Sequence, residues 1–128
     1  MKKTFLLISV LLFAAQCATT PTASTNPARR IARMWRGEVP VARANEYEQY
    51  LKAEGISKLR AIPGNLGVDT FRRTVGEREE FLVISYWPSE EHIRAYAGED
   101  VTKTRLMPRD LEYLIEPEYR VRHYNIVP

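Results

Sequence analysis

Cysteine and histidine are scarce in this sequence, which contains one cysteine, Cys17, and two histidines, His92 and His123. A single cysteine has no partner for an intramolecular disulfide, and two isolated histidines do not form a metal-binding motif such as HExxH. The sequence also lacks a glycine-rich phosphate-binding loop and a basic stripe with interleaved aromatic residues. We therefore expect no metal and no nucleotide cofactor, and no nucleic-acid partner.

Long apolar runs are absent except at the N-terminus. Lys2 and Lys3 precede an apolar segment, 5–15, that is interrupted only by Ser9 and leads into small residues. A bilayer-spanning helix needs about 20 apolar residues, so this segment is too short for a permanent anchor. The order of positive, apolar and small residues is typical of a secretory signal.

The position of Cys17 directly after this segment resembles a bacterial lipoprotein signal, in which the cysteine becomes the lipid-modified first residue of the mature chain. We therefore interpret residues 1–17 as a lipoprotein-type signal and expect Cys17 to be lipidated. The protein would then be exported to the bacterial cell envelope and anchored on the periplasmic or extracellular side of a membrane. Ordinary secretion, with cleavage near Ala15 to Ala18, is the alternative, because Gln16 is larger than the residue that usually precedes such a cysteine.

Residues 18–28, "ATTPTASTNPA", have no periodicity and no large apolar residue, which indicates a disordered tether. Fully extended, these eleven residues could reach about 36 Å. Residues 29–128 have the length of one ordinary domain. Removing Lys2 and Lys3 leaves 17 of the 19 basic residues against 16 acidic ones, so the exported chain is nearly neutral.

The domain shows six successive elements. Alternating or β-rich stretches predict strands, and apolar residues at helical spacing predict helices. The predicted buried faces are Tyr47, Tyr50 and Leu51 for the first helix and Ile93, Tyr96 and Ala97 for the second. Gly55 is expected to end the first helix, although "ISKLRA" can add a further turn, and Pro108 is expected at the first position of a short extra helix. The predicted elements are strand 31–39, helix 42–55, strand 66–73, strand 79–87, a helix between Ser89 and Gly98, and strand 118–127.

Charged residues cluster on the hairpin around Gly76, between the second and third strands. Opposed charges at a solvated hairpin end are usually cross-strand ion pairs, and we interpret this cluster in that way. Its members are Arg72, Arg73, Glu77, Arg78, Glu79 and Glu80.

This order of elements is the ferredoxin-like βαββαβ arrangement, an α+β fold with a four-stranded antiparallel sheet. Residues 32–127 resemble the antibiotic biosynthesis monooxygenase-like family of dimeric α/β barrels. The resemblance is carried by "RMWRGEV", "EYEQYL", "PGNLGV", "FLVISYWPSEEHIRAYAGED" and "VRHYNI". None of these stretches is a catalytic signature.

The resemblance implies a homodimer in which the sheets of two subunits pack face to face, each covered by its own helices on the other side. The third strand agrees with this arrangement, because both of its faces are apolar. A monomer would leave one of those faces exposed, which indicates an interface. One face has Phe81, Val83 and Trp87, and the other has Leu82, Ile84 and Tyr86.

Members of the family include cofactor-independent oxygenases that act on polyaromatic phenols and haem-degrading enzymes. The haem-degrading members use an asparagine on the first strand, a tryptophan on the second helix and a histidine some ten residues later. This chain has no asparagine on its first strand, has Tyr96 at the position aligned with the tryptophan, and has no histidine between Ile93 and His123. We therefore do not expect haem degradation by that set of residues.

The candidate site residues are aromatic or basic. His123 alternates with Val121 and Asn125 on the last strand and can act either as a general base or as a core hydrogen-bonding residue. His92, near a helix N-terminus, is expected at the surface. Arg105 can bind an anionic substituent, and some of the candidate aromatic residues are expected in the core instead. The candidate aromatic residues around a small ligand are Trp35, Tyr86, Trp87 and Tyr96.

Two classes of function remain open from the sequence. The first is a cofactor-independent monooxygenase-like enzyme that acts on a small aromatic compound. The second is a noncatalytic barrel, anchored in the envelope, that binds a small ligand or has a structural role. Fold alone does not decide between them.

Overall fold

The computed structural model describes residues 29–128. The predicted signal, the predicted lipidation of Cys17 and the predicted tether lie outside the described residues. Within the described part of the chain, no helix is both long enough and apolar enough to cross a membrane.

Four strands form one antiparallel sheet with the order β2-β3-β1-β4. The sequence prediction of a ferredoxin-like α+β fold is confirmed, and most strand boundaries lie within two residues of those predicted. The central pair is in register from Ile31 opposite Trp87 to Pro40 opposite Arg78. The strands are β1 (Ile31–Pro40), β2 (Val68–Val75), β3 (Arg78–Trp87) and β4 (Arg122–Asn125).

The first helical segment follows one 3-10 turn, Val41–Arg43, and covers residues 44–60; we call it α1. It is α-helical at Ala44–Tyr50, π-helical at Leu51–Ile56 and α-helical again at Ser57–Arg60. The prediction that Gly55 ends the helix is wrong, because the π-helical turn passes through it. A Cβ atom at Gly55 would lie 2.9 Å from Met107 Sδ, so glycine here permits a close contact with a neighbouring loop.

The second helix, α2, covers Glu90–Ala97. Ser89 precedes it as predicted, but the Ser89 hydroxyl contacts His92 Nδ1 at 2.8 Å and does not cap a backbone N–H. Gly98 ends the helix with a φ of 88°, a backbone conformation that glycine adopts without steric cost. The predicted buried face is confirmed for Ile93 and Ala97, and Tyr96 is half-buried.

The chain between α2 and β4 is mostly irregular. Its short 3-10 helix, Asp110–Glu112, begins two residues after Pro108, so the prediction for Pro108 is wrong. The Asp110 carboxylate instead accepts a hydrogen bond from Met107 N–H at 2.6 Å and holds the turn that contains the proline. β4 is shorter than the predicted 118–127 because Tyr119 and Val121 pair with residues Thr102 and Thr104 of this segment, not with β1.

The two helices cover one face of the sheet, the inner face. Under α1 the core is built around Val39, Tyr47, Leu51 and Phe81, and Tyr47 meets Phe81 edge to face with ring centroids 5.3 Å apart. Under α2 the core contains Trp87, Ile93, Ala97 and Val101. Leu59 packs against both clusters and joins them.

The opposite face of the sheet, the outer face, carries apolar side chains that the helices do not cover. On β3 the predicted division is confirmed: Phe81, Val83 and Trp87 are buried beneath the helices, whereas the alternate residues are half-buried on the outer face. Phe71 and Tyr124 are about half exposed there. The apolar residues of this face are Ala32, Met34, Phe71, Leu82, Ile84, Tyr86 and Tyr124.

Ion pairs border this apolar surface. Arg36 Nη1 contacts Glu80 at 2.6 Å and Glu38 at 2.7 Å. The predicted cross-strand pairs of the hairpin are also present: Arg73 contacts Glu80 at 2.6 Å on the outer face, and Arg72 contacts Glu79 at 2.6 Å on the inner face. Hydrogen bonds from Arg73 and Arg36 hold the pKa of Glu80 below its usual range.

Candidate functional site

A cavity of about 290 Å³ lies between the inner face of the sheet, α1 and the loop 104–110. It lies at the boundary between the two core clusters, because residues that belong to or pack against each of them line it. Its lining is mostly apolar, with a small number of polar and charged groups. This combination of an apolar wall and few polar groups is typical of sites for small organic ligands.

The sheet supplies the floor of the cavity. Trp35 on β1 and Val83 on β3 lie opposite each other in register, and both line the space. Gly37, two residues further along the same face, makes room for the indole: a Cβ atom there would lie 2.4 Å from Trp35 Cη2. The glycine therefore determines where the Trp35 ring lies.

Tyr96 of α2 forms one wall. Its ring stacks on Trp87, with centroids 5.9 Å apart and planes inclined by 10°. Trp87 is fully buried behind it and donates from Nε1 to the Ser85 hydroxyl at 2.9 Å. Burial raises the pKa of the Tyr96 phenol, and the charges of Arg33 and Arg105 act in the opposite direction.

Arg33 projects from β1 beside Tyr96 and is 5% exposed. Its Nη2 donates to the Lys103 carbonyl at 2.9 Å, and its Nη1 donates to the Val101 carbonyl and lies 3.0 Å from His123 Nε2. Because a guanidinium only donates, His123 Nε2 accepts, and the neutral imidazole carries its proton on Nδ1. Burial, and then the charge of Arg33, lower the pKa of His123 below its usual value.

Asp110 forms the opposite end of the cavity with Tyr47. Tyr47 donates its hydroxyl to Asp110 Oδ1 at 3.1 Å, and Asp110 is 3% exposed. Burial raises the pKa of Asp110 above its usual value, while the bonds from Met107 N–H and Tyr47 oppose that shift. Burial, and then the charge of Asp110 and the hydrogen bond to it, raise the pKa of Tyr47, so this tyrosine stays protonated.

The structure brings three of the sequence-predicted site residues, Trp35, Tyr96 and Arg105, to the lining of one cavity. The other three lie elsewhere. Trp87 is enclosed behind Tyr96, and His123 contacts Arg33 rather than the open space. Tyr86 is on the outer face, where its hydroxyl donates to Asp69 at 2.9 Å, because alternate residues of β3 point to opposite sides.

Sequence reasoning missed Arg33, Tyr47 and Asp110 as polar residues of the cavity. A signal for Arg33 was available, since it alternates with Trp35 and Val39 on the inward face of β1 and is therefore a charge among core positions. Tyr47 was predicted correctly as part of the buried face of the first helix. Nothing in the sequence indicates that Asp110, in an irregular segment, returns to contact it.

Among residues 29–128, no group of three or more histidine, cysteine, aspartate or glutamate side chains is arranged to hold a metal ion. The polar groups of the cavity are instead two arginines, one lysine, two carboxyl groups, two phenols and two aliphatic hydroxyl groups. Such groups can orient an organic ligand, neutralise a negative charge on it and exchange protons with it.

Solved structures with the same fold include a putative antibiotic biosynthesis monooxygenase from Bacillus cereus, with a TM-score of 0.53 and 15% identity over 77% of this chain and 94% of that one. Another is MhuD from Mycobacterium tuberculosis, a heme degrader solved with two hemes bound in its active site. It gives a TM-score of 0.53 and 20% identity over 77% of this chain and 96% of that one. At these identities the likeness shows a shared fold. No curated protein matches the sequence.

A family comparison covers most of the domain, from β1 through α2 into the cavity loop. Residues 31–104 match the model described as antibiotic biosynthesis monooxygenase, which is more than half of the 128-residue chain. The match includes Arg33, Trp35 and Tyr96 but ends one residue before Arg105. The chain belongs to the antibiotic biosynthesis monooxygenase family.

Proposed function

We propose that the protein is a cofactor-independent monooxygenase-like enzyme that binds a small aromatic compound in the cavity between the sheet and α1. The single observation that carries the proposal is the cavity itself, about 290 Å³ in volume and bounded by the rings of Trp35 and Tyr96. Aromatic walls favour a flat ring by stacking and edge-to-face contacts. Family membership adds the expectation of oxygen chemistry.

The proposed reaction needs no reductant besides the substrate. A phenol reacts with O₂ so that one oxygen atom enters the ring as a new carbonyl, and the other leaves as water with two hydrogens from the substrate. The phenol is oxidised to a quinone, and O₂ is reduced. The protein would orient the ring between Trp35 and Tyr96 and accept the phenolic proton.

His123 remains our predicted general base, although its position now constrains that role. Its Nε2 lone pair accepts a bond from Arg33, and the neutral ring has its proton on Nδ1. To accept a proton from a ligand at Nε2, the imidazole would have to give up this bond. A positioning role, in which His123 orients Arg33, requires no rearrangement.

We further propose that the protein is exported and forms a homodimer. The uncovered apolar outer face, with Ile84 and Leu82 at its centre, supports pairing of two sheets face to face. The residues before the domain support export and a lipid anchor at Cys17, as the sequence predicts. In this arrangement the cavity remains on the side of each sheet that faces away from the partner.

The test is oxygen consumption with an oxidisable phenol such as 1-naphthol, together with the absorbance of the quinone product. The Leu106→Trp variant places a large ring in the lining of the cavity, and Leu111→Trp adds the same ring at an exposed position of the adjacent 3-10 helix. We expect turnover in the wild type and in Leu111→Trp, and its loss in Leu106→Trp with the melting temperature unchanged.

Binding of the phenol without oxygen consumption would contradict the enzyme and favour a noncatalytic ligand-binding module. Equal turnover in the two tryptophan variants would show that the chemistry takes place outside this cavity.

A further inference from the structure

Arg33 is a buried cation without a carboxylate partner. It is 5% exposed, and among residues 29–128 no carboxylate oxygen lies within 4.0 Å of its guanidinium. Its partners, two backbone carbonyls and the imidazole of His123, are all neutral acceptors. Burial of an unpaired charge costs several kcal/mol, so such a residue usually meets an anion.

The guanidinium of Arg33 has more N–H donors than it has acceptors among the described residues. Of its five N–H groups, three are used by Val101, His123 and Lys103. The N–H of Nε and one N–H of Nη2 have no acceptor among the described residues. Because Arg33 lines the cavity, a ligand there can supply the missing acceptor.

Arg105 lines the same cavity from the opposite loop and makes no ion pair or side-chain hydrogen bond with any residue in 29–128. The two arginines line one cavity and their charges interact: burial lowers the pKa of Arg33, and the charge of Arg105 lowers it further. Burial raises the pKa of Tyr96, and the charges of both arginines oppose that rise, so this ring is their shared neighbour.

The other charged groups of the lining are neutralised or engaged. Glu54 pairs with Lys58 one helical turn away. Asp110 accepts bonds from Tyr47 and from Met107 N–H at the far end of the cavity. The end that contains Arg33 and Arg105 is therefore positive, with no compensating anion among the residues that line it.

We propose that the ligand of this cavity is an aromatic carboxylic acid, whose carboxylate is bound by Arg33 and Arg105 while Trp35 and Tyr96 contact its ring. Guanidinium groups match the planar geometry of a carboxylate and can bind it with two parallel hydrogen bonds. This inference rests on the proposed function of the cavity, and it adds the class of compound that the cavity selects.

The test compares two probes of equal size, 2-naphthoate and 2-naphthalenemethanol, binding to the full-length protein at pH 7 by isothermal titration calorimetry. We expect naphthoate to bind at least about tenfold more tightly, which is the effect of roughly one charge-assisted hydrogen bond. The preference should decrease as the salt concentration rises.

Arg105→Met removes the guanidinium group from an exposed loop position, and we do not expect it to unfold the domain. It should weaken naphthoate binding about tenfold and leave naphthalenemethanol binding unchanged. Arg105→Glu should abolish naphthoate binding and favour the cationic analogue 2-naphthylmethylamine. Arg94→Met, which removes an exposed arginine of α2 outside the cavity, is the control and should bind both probes as the wild type does.

Equal affinity of the wild type for the acid and the alcohol would overturn the carboxylate proposal and leave the aromatic site intact. Failure of both probes to bind would overturn the carboxylate proposal and the proposed function together. Retention of naphthoate affinity in Arg105→Met and Arg105→Glu would also overturn it, because the anion would then be bound without this residue.

Discussion

Arg33 Nη1 lies 3.0 Å from His123 Nε2, across adjacent strands at positions that face each other in register. The contact joins the residue that we predict as a general base to the buried cation of the cavity. It also fixes the state of the imidazole, because Nε2 can accept this bond only when it carries no proton. His123 is therefore neutral wherever the contact is intact.

The first prediction concerns pH. The pKa of His123 in the folded protein lies below its usual 6.5, so the unfolded chain binds more protons between the two values. The free energy of unfolding should therefore fall as the pH decreases through 6.5 towards the folded pKa. Urea titrations between pH 7.5 and 5 measure the free energy of unfolding. Its decrease with falling pH should be smaller in His123→Gln, which lacks the titrating imidazole.

The sequence has only two histidines, so NMR can follow each imidazole separately during the titration. His92, which is exposed and whose ring contacts the Ser89 hydroxyl and not Arg33, provides the internal control. A midpoint for His123 at or above 6.5 would contradict the contact with Arg33.

The second prediction separates the catalytic and positioning roles of His123. Glutamine can accept the bond from Arg33 but cannot serve as a base, whereas alanine does neither. If His123 is the base, His123→Gln should retain the KM for a phenol and lose kcat, and His123→Ala should lose turnover with the dimer intact. If both variants keep kcat and only alanine raises KM, His123 positions Arg33.

The third prediction concerns the buried pair of Tyr47 and Asp110. Tyr47→Phe leaves a buried carboxyl group without one of its donors, which should lower the free energy of unfolding by about 1–3 kcal/mol. Tyr50→Phe is the matched control, because the Tyr50 hydroxyl accepts only an exposed bond from Arg109 N–H. Chemical denaturation measures the free energy of unfolding of both variants. Equal decreases in the two would contradict a stabilising role for the buried bond between Tyr47 and Asp110.

The fourth prediction concerns the homodimer. Light scattering on residues 29–128 at micromolar concentration should give twice the mass of that fragment. Ile84→Asp places a charge at the centre of the outer face and should weaken association by at least about 2 kcal/mol, whereas Leu111→Asp, at an exposed position away from the sheet, should not. A stable wild-type monomer would contradict the face-to-face arrangement.

The fifth prediction concerns the N-terminus. If Cys17 is lipidated, Cys17→Ala should release the protein from the membrane fraction or leave an uncleaved precursor. Cell fractionation followed by mass spectrometry of the first mature peptide measures both results. Normal processing with unchanged membrane retention in the variant would favour another mode of attachment.

The strands and helices could be predicted because they depend on local patterns. The alternation on β3 determined both of its faces, and the spacing of Ile93 and Ala97 determined the buried side of α2. The prediction for Gly55 failed because a tertiary contact, with Met107, decided the local structure. The prediction for Pro108 failed because the Asp110 carboxylate accepts a bond from Met107 N–H, three residues earlier in the same loop.

The candidate site was predictable only in part, for the same reason. Trp35 and Tyr96 lie on regular elements whose inward faces the sequence reveals. Trp87 lies on the inner face, as the cavity does, but Tyr96 separates it from the cavity. The alternation of a strand predicts the face of a residue and not whether another ring covers it. Asp110 depends on how an irregular segment folds back onto α1, and no local pattern specifies that path.

The π-helical turn of α1 has a consequence for chain length. Tyr47 and Leu51 are four residues apart, but the next core residue, Ile56, follows after five, so the turn contains one residue more than a regular helix needs. Loss of one residue at 52–55 would let a regular helix present the same core residues. In α2, by contrast, one residue fewer would rotate Ala97 by about 100° away from the sheet. Homologous chains should therefore differ in length at the first site and not at the second.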